Sequence, residues 1–261
     1  MIFNSHAGHN PSGKVACGAV GLLNESVENR KINKEIIRLL KLNGHTVYDC
    51  TVSNGTGQKD VLKKIVAKCN KHDVSYDFSH HLNSGRNDKK GDGSIGGFEV
   101  LVTDTGKGKG EIAERMRKNM KELGFKDRGT KIRKDLYVLN KTNAPALLTE
   151  ICFVDDKDDY NLYKKVGHKA IAEALVKAIL NKSSIKTGAE KFEPYLVRIT
   201  CKSLNVRSGA GTKHSVIAKV KKDEVYTIVD EVKNGSTTWG LLKSGTEERN
   251  MWISLNYAKK V

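Results

Sequence analysis

The sequence lacks the features that mark several large classes of protein. None of its apolar runs approaches the roughly 18 residues that a membrane-spanning helix needs. Its five cysteines (Cys17, Cys50, Cys69, Cys152 and Cys201) are odd in number and widely spaced, and no CxxC pair suggests a thiolate metal site or redox pair. Residues 1–6 contain neither a basic nor an apolar signal region, so we expect the product to accumulate first in the cytoplasm.

Acidic residues are too few to balance the basic ones. The 261 residues include 46 Lys and Arg but 30 Asp and Glu, which gives a formal net charge of +16. Such an excess favours a polyanionic partner, which could be nucleic acid, an anionic membrane or an acidic cell-wall polymer. The basic residues are spread along the chain, and no zinc-finger spacing, RNP-type motif or concentrated basic helix is present. We therefore expect no specific nucleic-acid partner.

The first two thirds of the chain alternates between two hydrophobic periods. Strand-like runs at 2–5, 45–50, 74–82, 97–103, 136–140 and 146–153 are separated by stretches of helical period around 32–40, 61–69, 112–123 and 166–179. This alternation predicts an α/β fold, with a mixed twisted sheet covered by helices.

The pattern changes near residue 181. Residues 181–193 (NKSSIKTGAEKFE) are polar and aperiodic and are followed by Pro194, which is typical of a linker. Beyond them, short strand-like runs lie between Gly, Asn, Ser and Lys turns, which predicts a small all-β barrel. We therefore expect one domain at 1–181, a linker at 182–193 and a second domain at 194–261.

Four histidines (His6, His9, His80 and His81) lie at the ends of predicted strands, where an α/β sheet presents its ligands and catalytic groups. Glu25 opens a predicted helix. Two imidazoles and a carboxylate form a usual ligand set for catalytic zinc, which keeps a fourth position for water whose pKa falls to about 7. The HExxH and HxxEH motifs are absent, so ligands to such a metal must come from separate elements.

Strand geometry bears on the choice between His80 and His81 and on the role of Glu150. Successive strand residues face opposite sides of a sheet, so only one of His80 and His81 can face a metal, and periodicity leaves the choice open. Glu150 follows the apolar run 146–148. Burying an acid there costs several kcal/mol unless it has a partner or a metal, which favours a functional role for Glu150.

Five ordered motifs resemble those of the zinc N-acetylmuramoyl-L-alanine amidases of the Amidase_3 type. They are HAGH at 6–9, Gly21 with Asn24-Glu25 and Asn29, SHHLN at 79–83, GFEV at 97–100 and PALLTEICF at 145–153. The resemblance spans about 180 residues. It implies that His9, Glu25 and His81 hold zinc and that Glu150 is the catalytic glutamate, with His81 preferred over His80 because of the match at Asn83.

Three positions depart from the family pattern. His6 stands where an acid is usual, Asn10-Pro11 replaces a Gly-Gly pair, and Cys152 replaces a glycine. None of these changes removes a proposed ligand. The first alters the surroundings of His9, and with them the expected zinc affinity.

The C-terminal region carries a second resemblance. The stretch LNVRSGAGT at 204–212 is similar to a signature of bacterial SH3-like domains, and Trp239-Gly240 and Trp252-Ile253 resemble later positions of that family. The resemblance implies a module that binds the cell wall. Trp239, Trp252 and Tyr257 fit either a ligand surface or a plain aromatic core.

Together these features predict a peptidoglycan hydrolase similar to phage endolysins, which cleaves the amide between N-acetylmuramic acid and L-alanine. The positive charge suits the anionic polymers of a Gram-positive wall. The missing signal fits release to the wall with the help of a holin. Two alternatives stay open, a wall-binding protein without catalysis and a zinc endopeptidase that cuts the stem peptide.

Overall fold

The computed structural model describes residues 1–188, 192, 194–243 and 251–261. The chain divides into two compact units, Met1–Gly188 and Ala189–Val261. The linker expected at 182–193 includes residues 189–191 and 193, which lie outside the described residues, so both predicted boundaries of the linker stay predictions. Part of the expected linker packs within the first unit, where Asn43 Nδ2 donates to the Lys186 carbonyl at 2.8 Å and the Arg38 guanidinium to the Thr187 carbonyl at 2.6 Å.

The first unit alternates strands and helices throughout residues 1–188. Its strands are β1 (Ile2–Ala7), β2 (Thr46–Asp49), β3 (Tyr76–Asn83), β4 (Phe98–Val102), β5 (Asp127–Ile132) and β6 (Ala146–Phe153). Its helices are α1 (Glu25–Leu42), α2 (Gln58–Cys69), α3 (Lys109–Glu122), α4 (Tyr137–Lys141) and α5 (Lys157–Leu180). In the described part of the chain, no helix is long and apolar enough to cross a membrane.

The strands of the first unit form one mixed sheet in the order β2-β1-β3-β6-β4-β5. β1 is parallel to β2 and β3, and β3 is parallel to β6. β4 runs antiparallel to β6 and parallel to β5. The predicted mixed α/β architecture is confirmed. Because β1, β3 and β6 are parallel neighbours, their carboxyl ends meet at one edge of the sheet.

Two apolar cores cover the two faces of this sheet. One packs α1, α3 and α5 against it, and the other packs α2 and α4. Leu147 and Leu148, successive residues of β6, belong to different cores, as the alternation of side chains along a strand requires. α1 joins its core through the buried Ile32, Ile36 and Leu40, which recur every four residues along one face of the helix.

One predicted strand of the first unit was wrong, and one strand was missed. Residues 136–140, expected as a strand, lie mostly in the short helix α4, which buries Val138 and Leu139. A five-residue apolar stretch does not distinguish a strand from one helical turn by its period alone. The edge strand β5 was not predicted, because its residues are exposed or half-buried and carry no apolar alternation.

The second unit is an antiparallel all-β domain, as predicted. Among its described residues, the strands are β7 (Tyr195–Ile199), β8 (Ser203–Arg207), β9 (Val216–Lys221), β10 (Val225–Asn234), β11 (Thr237–Leu242), β12 (Trp252–Ser254) and β13 (Ala258–Lys260). They pair in the order β13-β7-β10-β11-β12-β8-β9. The core of this unit includes Ile199, Val206, Ile228 and Ile253, all nearly inaccessible to solvent.

Candidate metal and active site

Side chains from four elements meet at the carboxyl edge of the central strands. His9 follows β1, Glu25 is the first residue of α1, His81 lies in β3 and Glu150 lies in β6. His81 and Glu150 are paired in the register of β3 and β6, so their side chains leave the same face of the sheet. The structure thus brings together the four residues that the sequence singles out.

The three expected ligands are in direct contact. Glu25 Oε1 lies 3.0 Å from His81 Nδ1 and 3.2 Å from His9 Nε2. The two imidazole rings meet edge to face, with their centroids 4.8 Å apart. One ligand atom from each residue lies within 4.8 Å of the other two, so the three side chains could hold one metal ion.

Backbone amides orient the Glu25 carboxylate. Its Oε2 accepts a hydrogen bond from the Ala19 amide at 2.8 Å, and its Oε1 accepts one from the Leu82 amide at 3.2 Å. Burial alone would raise the pKa of Glu25, but hydrogen bonds from His81 and His9 outweigh burial and hold the pKa well below its ordinary value. Glu25 is therefore an anion at the centre of the site.

The loop that carries His9 has an uncommon backbone. His9 adopts a left-handed conformation with φ of 66°, which is rare outside glycine. Asn10 holds this turn, because its side-chain amide donates to the Val15 and Gly55 carbonyls at 2.8 and 2.7 Å and accepts from the Gly55 amide at 3.0 Å. The strain at His9 is thus held in place by a fully buried amide.

Helix α1 fixes the same loop from the other side. Asn29 Nδ2 donates to the Gly8 carbonyl at 3.1 Å. The Arg30 guanidinium donates to the carbonyls of His9 at 3.1 Å and Val52 at 2.6 Å. Because Glu25 lies on the same helix, α1 positions one expected ligand directly and a second through its loop.

Two glycines leave room for the side chains of the three expected ligands. A β-carbon at Gly8 would lie 2.0 Å from Cε1 of His81. One at Gly18 would lie 2.5 Å from Oε2 of Glu25 and 2.8 Å from the His9 ring, and Gly18 also has a φ of 79°. Only glycine permits such a close approach of backbone to side chain.

Glu150 lines the same open cavity of about 380 Å³ as His9, Glu25 and His81. Its Oε2 is buried and has no hydrogen-bond partner among the described residues. Burial is the main cause that raises the pKa of Glu150 well above its ordinary value, and the negative charges of Glu25 and Glu99 raise it further. The carboxyl group can therefore hold a proton that an isolated glutamate would lose.

The other two strand-end histidines lie apart from this ligand group. His80 faces the opposite side of β3, where its ring contacts Ser5 Oγ at 3.3 Å and Thr149 Oγ1 at 2.9 Å. His6 is buried, and its Nδ1 has no partner among the described residues. Burial lowers the pKa of each to about 3, so both rings are neutral.

A polar network lies beside Glu150, and the sequence predicted no role for any of its residues. Glu99 of β4 is paired in register with Glu150 and accepts hydrogen bonds from Asn83 at 2.9 Å and Arg128 at 3.0 Å. Arg30 of α1 was missed altogether. The buried polar stripe of α1, in which Glu25, Asn29 and Asn33 recur every four residues, gave no signal for Arg30, because Arg30 lies outside it.

A second group of acids, Asp88, Asp156 and Asp158, also brings three carboxylates within 4.8 Å of one another. Asp156 caps α5 by accepting hydrogen bonds from the amides of Asp158 and Asp159, and it also accepts one from Arg86 at 2.9 Å. These bonds account for Asp156 as a helix cap, and Asp88 and Asp158 accept hydrogen bonds from the loop amides of residues 91–93.

The aromatic residues of the second unit divide between core and surface. Trp239 is buried, Trp252 is half-buried, and half of Tyr257 is exposed. Trp239 and Tyr257 border a cavity of about 470 Å³ together with Asn205, Arg207 and other polar side chains.

Comparison with known proteins identifies both units. Residues 1–181 match the Amidase_3 family, described as N-acetylmuramoyl-L-alanine amidase, and residues 202–257 match a bacterial SH3 domain. An uncharacterised protein of Clostridium perfringens is 29% identical over 97% of this chain and 77% of its own length. The endolysin of Bacillus phage SPP1 is 27% identical over 86% of this chain and 89% of its own length.

Solved structures agree with the sequence matches. The catalytic domain of the CD27L endolysin targeting Clostridia Difficile is 29% identical, with a TM-score of 0.63, and the match covers 70% of this chain and 99% of that domain. The chain therefore belongs to the Amidase_3 family of N-acetylmuramoyl-L-alanine amidases. It is a peptidoglycan amidase with a C-terminal bacterial SH3 domain, and the predicted activity and substrate are confirmed.

Proposed function

We propose that His9, Glu25 and His81 hold a zinc ion in this amidase. The chemistry of the donor set supports zinc, because two imidazoles and one carboxylate are a usual set for a catalytic site with an open position. The space left by Gly8 and Gly18 supports it too, since the ligand side chains fill that space. When bound, zinc supplies Lewis acidity, which polarises an amide carbonyl and makes water more acidic.

In this proposal Glu150 is the proton carrier of the reaction. It takes a proton from the attacking water and delivers it to the departing amine of L-alanine. The observation that carries the proposal is the position of its carboxylate, which shares one cavity with the three ligands and keeps a buried oxygen without a partner. Its raised pKa suits both halves of the task, because the group can hold the proton between the two transfers.

The SH3 domain holds the enzyme at its insoluble substrate. Attachment to the wall raises the effective concentration of the catalytic unit near the bonds that it cleaves. The net charge of +16 supports a Gram-positive wall rich in anionic polymers as the target. The similar endolysin of a Bacillus phage supports action at the cell wall. Release from the cytoplasm with the help of a holin is part of the same proposal.

Mass spectrometry of the fragments released from purified Gram-positive peptidoglycan tests this function. The intact protein should release stem peptides that begin at L-alanine and leave glycans with a free lactyl carboxylate. A chelator and the Glu150→Gln variant should each abolish the release, whereas Glu111→Gln, which changes an exposed glutamate of α3, should not.

Other fragment patterns would contradict the proposal. New amino termini inside the stem peptide would indicate an endopeptidase. Full activity of metal-free protein would remove zinc from the reaction. Binding to the wall without any fragments, from several wall types, would indicate a protein that has lost catalysis.

A further inference from the structure

A small apolar hollow opens beside the expected zinc ligands. Its walls are Val61, Leu62 and Ile65 of α2 and Val138 of α4, and the rings of His9 and His81 form its rim. Both rings also line the larger cavity that contains Glu150, so the hollow is a side pocket of the active site.

The hollow suits one small apolar group. Its free volume is about 30 Å³, above the roughly 10–15 Å³ that a cavity needs to take one water molecule, so a group as small as a methyl fits. Three of the four wall residues are buried and belong to the core between the sheet and helices α2 and α4. Gln58 and the two histidine rings also line the hollow, but its exposed lining is mainly apolar, so a methyl group is favoured there over a hydroxyl.

The substrate carries two methyl groups next to the bond that is cleaved. The lactyl methyl lies on the acyl side, and the alanine methyl lies on the amine side. Glu150 must reach the departing amine, and it does not line the hollow. In the sheet, β3 with His81 separates β6 with Glu150 from β1, which leads to His9. The acyl side of the substrate therefore extends away from Glu150, toward His9 and the hollow.

We propose that this hollow, the methyl pocket, binds the lactyl methyl group of N-acetylmuramic acid and selects the acyl side of the substrate. The inference rests on the proposed roles of Glu150 and the three ligands. A single methyl group in a fitted apolar pocket changes kcat/KM by about 10- to 200-fold. The enzyme should therefore discriminate by that factor against a substrate that lacks this methyl.

A set of soluble muramoyl peptides tests the pocket. The reference compound carries the natural lactyl ether, the second carries a glycolyl ether without the methyl, and the third keeps the lactyl ether but has glycine in place of L-alanine. The wild-type full-length protein should cleave the reference compound about 10- to 200-fold faster than the glycolyl compound, by kcat/KM.

Two substitutions on one helix separate the pocket from the core around it. Val61→Ile adds one methylene at the wall of the methyl pocket, whereas Val66→Ile adds one to the same core without lining it. Val61→Ile should lose at least tenfold in kcat/KM on the lactyl compound and leave the glycolyl compound unchanged. Val66→Ile should keep the wild-type ratio between the two compounds.

A third variant enlarges the pocket without adding volume to the core. Leu62 is half-buried, so its truncation is tolerated more easily than that of a core residue. Leu62→Ala should raise kcat/KM on an ethyl analogue of the lactyl ether by about tenfold relative to the natural compound. This variant keeps the test decisive if Val61→Ile does not fold.

Binding provides a readout that does not depend on turnover. Calorimetric titration of Glu150→Gln with the uncleaved compounds should show tighter binding of the lactyl ether than of the glycolyl ether, and Val61→Ile in that background should remove the difference. Equal cleavage and equal binding of the two ethers by the protein with an intact pocket would overturn the proposal. If Val61→Ile instead changes the kcat/KM ratio between the L-alanine and glycine compounds, the hollow binds the alanine methyl group.

Failure of the proposed function has a different signature. If the wild-type protein cleaves none of the compounds while the Glu150→Gln titrations still separate the two ethers, the methyl pocket stands and the assigned catalytic roles fall.

Discussion

Replacing Gly8 with alanine tests the placement of the proposed metal ligands most directly. The added β-carbon would lie 2.0 Å from Cε1 and 2.2 Å from Nε2 of His81. An ordinary contact begins at 3.4 Å, so the His81 ring must move by about 1.4 Å. The ring borders the open cavity, which gives it room to move from its place beside Glu25.

A displacement of this size should be costly for function. A misplacement of about 1 Å reduces catalysis by about 100-fold, and loss of ligand orientation weakens metal binding by about 10- to 100-fold. We expect Gly8→Ala to weaken zinc binding by about 100-fold, measured by competition with a chromogenic chelator. The free energy of unfolding of the metal-free protein should fall by no more than about 3 kcal/mol, the usual limit for one added methyl group.

Gly57→Ala is the matched control. Gly57 precedes α2, its φ of 176° is extended backbone, and an added β-carbon there meets nothing within 4 Å. This variant should bind zinc as the wild type does. Zinc affinity of Gly8→Ala equal to that of Gly57→Ala would refute the position of His81 in the site.

Three further outcomes follow from the site. Glu150→Gln should lower kcat on peptidoglycan by about 100- to 10,000-fold while zinc affinity stays within about tenfold, and a comparable loss of zinc would make Glu150 a ligand instead. Asn10→Ala should lower the free energy of unfolding by about 1–3 kcal/mol in urea titrations, because it removes hydrogen bonds to Val15 and Gly55, and an unchanged midpoint would contradict the buried turn. Zinc at 100 times its Kd should stabilise the protein by about 2.7 kcal/mol in calorimetry, with no such effect in His9→Ala.

Much of the fold follows from hydrophobic period, and the misses have physical causes. The strand predicted at 146–153 coincides with β6, because its apolar run is long and buried on both faces. The five residues at 136–140 were misassigned because one apolar turn has no period to read. β5 escaped prediction because an edge strand with exposed side chains lacks an apolar signal.

The sequence predicted the four main residues of the site but not all of its supporting contacts. Motif order suggested His9, Glu25, His81 and Glu150, and these four side chains share one cavity. The sequence could not show whether the ring of His80 or that of His81 faces the cavity. Strand period shows that the two rings lie on opposite faces of the sheet, but not which face carries the site. Arg30 could not be found either, since its hydrogen bonds go to carbonyls far from it in sequence.

The buried polar stripe of α1 also sets a limit on engineering. Asn29 bonds to the loop after β1, and Asn33 accepts a hydrogen bond from Ser5 of β1 and donates one to Thr51. If this stripe were wholly apolar, α1 could shift along its own axis and still pack against the sheet with similar energy. With the asparagines in place, a shift of α1 by one turn, about 5.4 Å, would break all of these hydrogen bonds. Replacing Asn29 and Asn33 with leucine would therefore add hydrophobic burial but remove the bonds that fix the position of α1. A screen for heat resistance alone would favour such variants, in which α1 no longer aligns Glu25 with the histidines.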